Sequence, residues 1–482
     1  MAAPVSAVEY GTLIVAAAYA FTGLAAPLLG ARFTRLSLYA ATIAALASAA
    51  YATLRIAPLG GYVVAFNGAI VVDTFAIYML STAVIVFALA ALAARGVVDR
   101  WEAGEAFYAV AGLMALGVIM LGLSRVLYLV YIAWILAAVS SYVLIALYRD
   151  DISAEAALKY AVTGAVATIV LLLGVILYYT VAGSLVLGGG LVYRDPLLIT
   201  PVVTLLAVAI GFKMGVVPFH GWLIDVYGNA RPLVVALASA AAKVLAALLI
   251  VRVIAPFAAS TPEIVLWVAA VLSAITMLYG NLGALLTVRD SPQKLLAYSS
   301  VAQAGYILAA VAALSKLPGV DNAAAVAGIA MHTSAYALSK LAAFLSLDTS
   351  CRYPGCSWEE LRGLASRRPL AAAALTLAAA NLAGVPLTLG FWGKLYIVLS
   401  AVSASPLLGA LVAANIAVGV FYYGYLIYAL FLGGPREAGV RSERVDAREA
   451  AALAAALLTV VLALAPQQGY GLAVYAYNTA QP

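Results

Sequence analysis

GFKMGVVPFHGWLIDVYGNARP, residues 211–232, sits in apolar sequence yet carries Lys213, Pro218, His220 and Asp225. The apolar run over about 197–227 has the length of a membrane-spanning helix, which needs about 20 residues. Pro218 removes a backbone donor, and Gly211, Gly215 and Gly221 loosen the helix around it. The span is therefore expected to be interrupted. In a membrane, backbone groups freed by a break survive only inside protein or beside a water-filled cavity. A second stretch repeats the pattern: AGVPLTLGFWGK, residues 383–394, puts Gly384, Pro386 and Gly390 inside a span predicted over 369–400. One such break reads as a proline kink; a matched pair points to a transport path.

The rest of the chain fits that setting. Of 482 residues 66% are hydrophobic and 10% charged, against about 25% charged in a soluble domain. The fold class expected is all-α and polytopic. Apolar runs place fourteen spans near 5–29, 34–57, 69–94, 107–124, 126–148, 156–183, 197–227, 230–256, 263–287, 295–315, 322–347, 369–400, 404–433 and 449–465. A weakly apolar tail runs from Gln467 to Pro482. The first run lacks a basic leader and is followed by more spans, so it reads as a span and not as a cleaved signal.

Charge tests the count. Loops after odd-numbered spans hold 17 Lys and Arg, and those after even-numbered spans hold five: Arg55, Arg125, Arg194, Arg252 and Lys316. The positive-inside rule then puts the basic loops in the cytoplasm and both termini outside the cell membrane. The net charge of +6 thus belongs to topology, and no nucleic-acid partner is expected. Cys351 and Cys356 share one hydrophilic loop without a nearby histidine, so no metal site is expected. On the cytoplasmic side they should be reduced thiols unless the source is a hyperthermophile.

The two interrupted spans lie five apart. This suggests three N-terminal spans over 1–106 and five-helix units over 107–256 and 257–433. A basic loop, the last span and the tail fill 434–482. Units of five would run in opposite orientations.

Four lysines fall inside spans: Lys213, Lys243, Lys340 and Lys394. Each costs about 2.5–3.5 kcal/mol at a span's centre on insertion scales, so a function is expected of them. A lysine shielded from water can lose and regain its proton where a surface lysine cannot. Both histidines of the chain, His220 and His332, lie in the same spans and suit a proton relay. Lys340 and Lys394, near predicted span ends, have snorkelling to the interface as the bland alternative. His220 can also satisfy backbone freed at the break. Asp225 and Asp73 read as structural more readily than protonic, with Asp225 in a supporting place.

At these residues the sequence resembles a known family. GFKMGVVPFHGWLIDVYGNARP is similar to the span 7 signature of the antiporter-like subunits of respiratory complex I, relatives of Mrp-type sodium/proton antiporters. KLLAYSSVAQAGYIL (residues 294–308), LAGVPLTLGFWGK (382–394) and RDDISAEAALKY (149–160) resemble further signatures, and WLIDVY and RDDISAEAALKY lean towards subunit N. The likeness covers roughly residues 70 to 430. It implies two inverted repeats and a hydrated, charged axis across the membrane's middle. Lys213 would serve the first half-channel, Lys243 would link the halves, and His332 and Lys340 would lead to Lys394 in the second. It also implies no cofactor in this chain. The quinone site, the NADH or other donor site and the iron–sulfur clusters would belong to partner subunits, beside homologous antiporter-like subunits in the lipid bilayer.

Two positions depart from that family. It usually carries a glutamate in span 5, paired with the span 7 lysine, where alignment on SSYVLIALYRDD puts Ile135. No acid occurs between Ala106 and Arg149. A basic residue is usual where Gln293 stands. The function expected is proton translocation in a complex I-like quinone oxidoreductase. An Mrp-type antiporter subunit, a membrane-hydrogenase subunit and a non-conducting structural copy are the alternatives.

Overall fold

A run of twenty apolar residues can satisfy its backbone in lipid by coiling into a helix, and this chain does so repeatedly. The computed structural model describes residues 2–56, 61–187, 192–193, 195–258, 261–314, 322–432, 445–466 and 471. Arg194, Lys316, Arg436, Arg441, Arg444 and nearly all of the tail lie outside them. The described helices are α1 (Ala2–Leu24), α2 (Ala31–Ile56), α3 (Thr74–Ala94), α4 (Gly104–Leu123), α5 (Leu127–Ala146), α6 (Asp151–Ala182) and α7 (Pro196–Met214). Next come α8 (Gly221–Asn229), α9 (Pro232–Leu249), α10 (Ala255–Ala258), α11 (Pro262–Leu286), α12 (Pro292–Leu314) and α13 (Asn322–Ser350). The rest are α14 (Trp358–Leu361), α15 (Leu364–Arg367), α16 (Pro369–Ala383), α17 (Leu389–Ala404), α18 (Pro406–Phe431) and α19 (Ala447–Val461).

Their starts are written locally. Prolines 196, 232, 262, 292, 369 and 406 each open a helix, where the missing N–H would have no helical partner anyway. Asp73, Asp150 and Asp446 cap others and Asp195 caps α7 ahead of Pro196, each accepting a hydrogen bond from a backbone N–H in the first turn.

Among the described residues twelve helices are long and apolar enough to cross a membrane. The charged α13 and the divided α16/α17 bring the spans to the expected fourteen, with α8 continuing α7. Several boundaries shift by a few residues, as where the sixth span starts at Asp151 and not at 156; at one start a different element takes the place of helix. The third span, expected from residue 69, begins at Thr74, because residues 62–73 form an antiparallel hairpin. Strand β1 (Tyr62–Ala65) pairs with β2 (Ile70–Asp73), Tyr62 opposite Asp73. The β-branched Val63, Val64, Ile70, Val71 and Val72 favour strand, and Phe66, Asn67 and Gly68 turn the chain at positive φ. Asp73 is thus a cap at the mouth of α3, not a residue within it.

The ion pairs that join different spans test the helix count. Arg35 pairs with Asp99, Arg149 with Glu102, Lys159 with Asp225, Arg231 and Arg448 with Asp348, and Arg368 with Glu449. All lie at the end of the bundle reached by odd-numbered spans. Arg252–Asp73 lies at the other end. A miscounted span would have brought the two groups together.

The cysteine expectation is corrected. Cys351 and Cys356 form a disulfide. Gly355, at φ 89°, turns the short loop back on itself. This brings the two Cα atoms to 5.1 Å, inside the range a disulfide bridges.

At the centre stand α9, α12 and α13. Every residue of α9 is buried, so the residues it carries see protein on all sides.

Candidate functional site

Both interrupted spans break as the sequence suggested, and each break exposes carbonyls that a lysine takes up. α7 ends at Gly215 in the left-handed conformation (φ 72°, ψ 42°), which leaves the Met214 carbonyl without a helical N–H. The ammonium of Lys243, from the middle of α9, donates to that carbonyl. α16 ends the same way at Gly384 (φ 90°, ψ 38°). There Lys394, on the returning helix α17, donates to the carbonyls of Leu382 at 2.6 Å and Ala383 at 3.1 Å. A helix C-terminus carries partial negative charge and stabilises a cation. Each half-helix end therefore does part of what a carboxylate would do.

The other two lysines are held by hydroxyls, carbonyls and rings. Lys213, in the last turn of α7, donates to Tyr160 Oη at 3.0 Å and Ser141 Oγ at 3.4 Å. Its Nζ lies 5.2 Å from the Tyr160 ring centre and 5.8 Å from those of Trp134 and Tyr142, within cation–π reach. Tyr160 in turn stacks on Trp222 of α8 with ring centres 4.2 Å apart. Lys340 of α13 donates to Leu296 O and Ser299 Oγ of α12, both at 2.6 Å.

One aromatic joins two of these centres. The Tyr336 ring centre lies 5.4 Å from Lys243 Nζ and 5.6 Å from Lys340 Nζ. Further along, the Tyr306 ring centre lies 5.1 Å from Lys394 Nζ and 5.9 Å from the ring centre of His332. Gln303 adds a donor to the Leu382 carbonyl at 3.2 Å.

The four lysines are 0–4% exposed, so Lys340 and Lys394 do not snorkel. Among the described residues none of the four forms an ion pair. The buried carboxylates are engaged elsewhere: Asp73 with Arg252 at 2.5 Å, Asp348 with Arg448 at 2.6 Å and Glu449 with Arg368 at 2.9 Å. Ile135 is partly buried on α5, two helical turns before Tyr142 and so on the same face. Lys213 thus has a neutral cage, in keeping with the lack of any acid between Ala106 and Arg149. Gln293 donates to Tyr227 O at 3.1 Å and Ala230 O at 2.7 Å at the end of α8.

Several buried polar atoms without a protein partner lie in the same region. Among the described residues they include Thr333 Oγ1, Gln303 Oε1 and a ring nitrogen of His332, on α12 and α13; others, such as Tyr39 Oη and Thr376 Oγ1, lie elsewhere. Such atoms call for water.

Not every expected residue joins this chain. His220 is partly exposed and packs edge-on against Tyr279, ring centres 4.2 Å apart. Asp225 is about half exposed and pairs with Lys159 at 3.2 Å. Tyr160, Ser141, Tyr306, Tyr336, Ser299 and Gln303 do join it. Their signal was available: polar residues inside spans, several within KLLAYSSVAQAGYIL. Tyrosine and serine alone, however, sit as often in packing.

Three comparisons bear on this arrangement. Residues 124–419 match the family described as NADH:quinone oxidoreductase/Mrp antiporter, transmembrane. The chain is 36% identical to NADH-quinone oxidoreductase subunit N 2 of Symbiobacterium thermophilum, over 76% of this chain and 75% of that one. It is 35% identical to NADH-quinone oxidoreductase subunit N of Rubrobacter xylanophilus, over 83% of each. Among solved structures it superposes on a chain of respiratory complex I from Thermus thermophilus with a TM-score of 0.76 and 30% identity, covering 94% of this chain and 97% of that chain. A chain of the Mrp complex from Dietzia sp. shares the fold with a TM-score of 0.85 at 24% identity, covering 100% and 98%.

Proposed function

The chain belongs to the NADH:quinone oxidoreductase/Mrp antiporter transmembrane family, and from that premise we propose that it is the proton-translocating membrane subunit, of the subunit N type, of a quinone oxidoreductase resembling complex I. The observation that carries this reading is the file of four buried lysines without carboxylate partners, each held by carbonyls or hydroxyls. Oriented carbonyls and hydroxyls accept hydrogen bonds from an ammonium, and water can replace them when the amine is neutral. That is the property a site needs to take up and release a proton.

In this reading Lys213 serves one half-channel, with Tyr160 and Ser141 as its immediate partners. Lys243 links it to Lys340 across Tyr336. His332 and Tyr306 lead on to Lys394 in the second half-channel. The unpartnered polar atoms of α12 and α13 support a hydrated passage there. Residues 107–256 and 257–433 form the two half-channel units, each with its broken span, and the units are inverted repeats. Residues 1–106 and 434–482 flank them. The chain is a non-redox subunit, with donor site, quinone site and iron–sulfur clusters in partner subunits. It lies in the cell membrane, basic loops cytoplasmic and termini outside.

The test is coupled pumping. Lys213→Ala and Lys394→Ala are each reconstituted in liposomes as the assembled complex, and the pH gradient formed on adding electron donor is recorded. Each should pump less while the complex still assembles. Unchanged pumping in both would leave only a scaffolding role. A sodium-dependent pH gradient formed without donor would move the chain to the antiporters, as would recovery of only small membrane partners from a mild-detergent preparation.

A further inference from the structure

Helices α1 to α4 enclose a cleft of about 530 Å³ in the described residues, within the range of roughly 300–1,000 Å³ typical of ligand sites. None of the four lysines lines it. Its floor is the buried apolar surface of Val15, Leu80, Val84 and Leu123. The cleft runs from the end of the bundle that carries the hairpin β1–β2 to the middle of α1, α2 and α3. Along α1 it extends from Ala7 to Val15, about 12 Å of helical rise. One leaflet's hydrocarbon is about 15 Å deep, half of a core of about 30 Å. The cleft therefore has the length, position and polarity of one leaflet's acyl chain.

Its mouth adds charge. Tyr10 and Tyr51 stand at the rim, 67% and 39% exposed, where amphipathic rings mark a membrane interface. One turn beyond Tyr51, Arg55 donates to the Tyr51 hydroxyl at 3.2 Å and lies over its ring. Arg55 is exposed, and among the described residues it forms no ion pair. It lies at the end of the bundle that has few basic residues, so a general electrostatic field does not account for it. A guanidinium held against Tyr51 at the rim of an apolar cleft is placed for a phosphate.

We propose that this cleft is a phospholipid site, which holds one acyl chain against α1–α4 with the anionic headgroup on Arg55. The lipid would seal the N-terminal helices to one another and to α4, where the protein's own side chains leave a gap.

The experiment uses the full chain in its purified membrane assembly. The assembly is delipidated with mild detergent, re-equilibrated with vesicles of phosphatidylglycerol and phosphatidylcholine, washed, and analysed by mass spectrometry for lipid retained per chain. Two variants fill the cleft: Ala45→Phe and Gly11→Leu. A Cβ at Gly11 would come no closer than 3.5 Å to Ser48, so Gly11→Leu introduces bulk without a backbone clash. A third, Arg55→Gln, leaves the cleft open. The native chain should retain phospholipid with phosphatidylglycerol favoured about fivefold, the effect of one arginine beside an anionic headgroup. Both filled variants should lose the retained lipid, and Arg55→Gln should keep it without the preference. Retention in both filled variants equal to the native chain would overturn the proposal. So would a headgroup preference unchanged in Arg55→Gln, or recovery of a prenylquinone in place of phospholipid.

Discussion

Tyr160→Phe isolates the hydroxyl that stands nearest to Lys213. The substitution removes one oxygen and leaves the ring, so the stack on Trp222 at 4.2 Å and the ring face towards Lys213 at 5.2 Å persist. What is lost is the acceptor at 3.0 Å from Nζ, since the remaining Ser141 contact, at 3.4 Å, is long. A hydrogen bond to a charged group contributes about 1.5–3 kcal/mol net. At about 1.4 kcal/mol per tenfold, this corresponds to roughly one to two pH units. The phenol oxygen accepts from the ammonium and so favours the proton-loaded lysine. Without it, loading needs a higher proton concentration, and the pH profile of coupled pumping should move towards lower pH. The assay is donor-driven acidification of liposomes carrying the assembled complex, recorded from pH 5.5 to 8.5 alongside electron transfer. Tyr142→Phe is the control, because its ring approaches Lys213 at 5.8 Å and no hydrogen bond joins the two. A Tyr160→Phe profile that superposes on the native one would refute the reasoning, as would an equal shift in Tyr142→Phe.

Ile135→Glu places a carboxylate on the face of α5 that carries Tyr142, and the same profile should then move to higher pH; an unchanged profile would show that the neutral cage alone sets proton loading. Asp348 is buried and shared between Arg231 at 3.3 Å and Arg448 at 2.6 Å, so Asp348→Ala should destabilise the bundle by about 3–5 kcal/mol, read as a lowered midpoint of thermal unfolding in detergent. Burial raises the Asp99 carboxyl, but bonds from the Tyr108 hydroxyl and the Gly96 N–H, with Arg35 beside it, outweigh burial and hold it below the ordinary carboxylate value of 3.8. A depressed carboxylate contributes stability above its unfolded value and loses it as pH falls through the folded one. Asp99→Asn should accordingly be less stable than the native chain above about pH 4, with the difference closing below it. Maleimide labelling of the denatured chain should find no free thiol before reduction and two after it; two before reduction would contradict the Cys351–Cys356 bridge.

The sequence by itself determined that the chain lives in a membrane, that it crosses many times, and where two spans break. Composition, span length, charge parity and the Gly/Pro clusters at 211–221 and 384–390 are local or additive properties, and hydrocarbon leaves the backbone few alternatives. The same logic marked Lys213, Lys243, Lys340 and Lys394, because a lysine in a span is conspicuous wherever it points. It missed the hairpin at 62–73, since alternating and continuous apolar runs look alike over a few residues. It also missed the disulfide, which depended on a turn at Gly355.

Only the tertiary structure decided what surrounds each lysine. The Met214 carbonyl becomes a partner for Lys243 because α7 stops beside α9, 29 residues away in sequence. Tyr336 becomes a link because α13 passes both α9 and α12. Neither relation has a sequence signature, since it depends on which faces of distant helices meet. The same holds for the absences. An isoleucine at position 135 says that an acid is missing; that hydroxyls and aromatic rings take its place is a fact of packing among α5, α6 and α7.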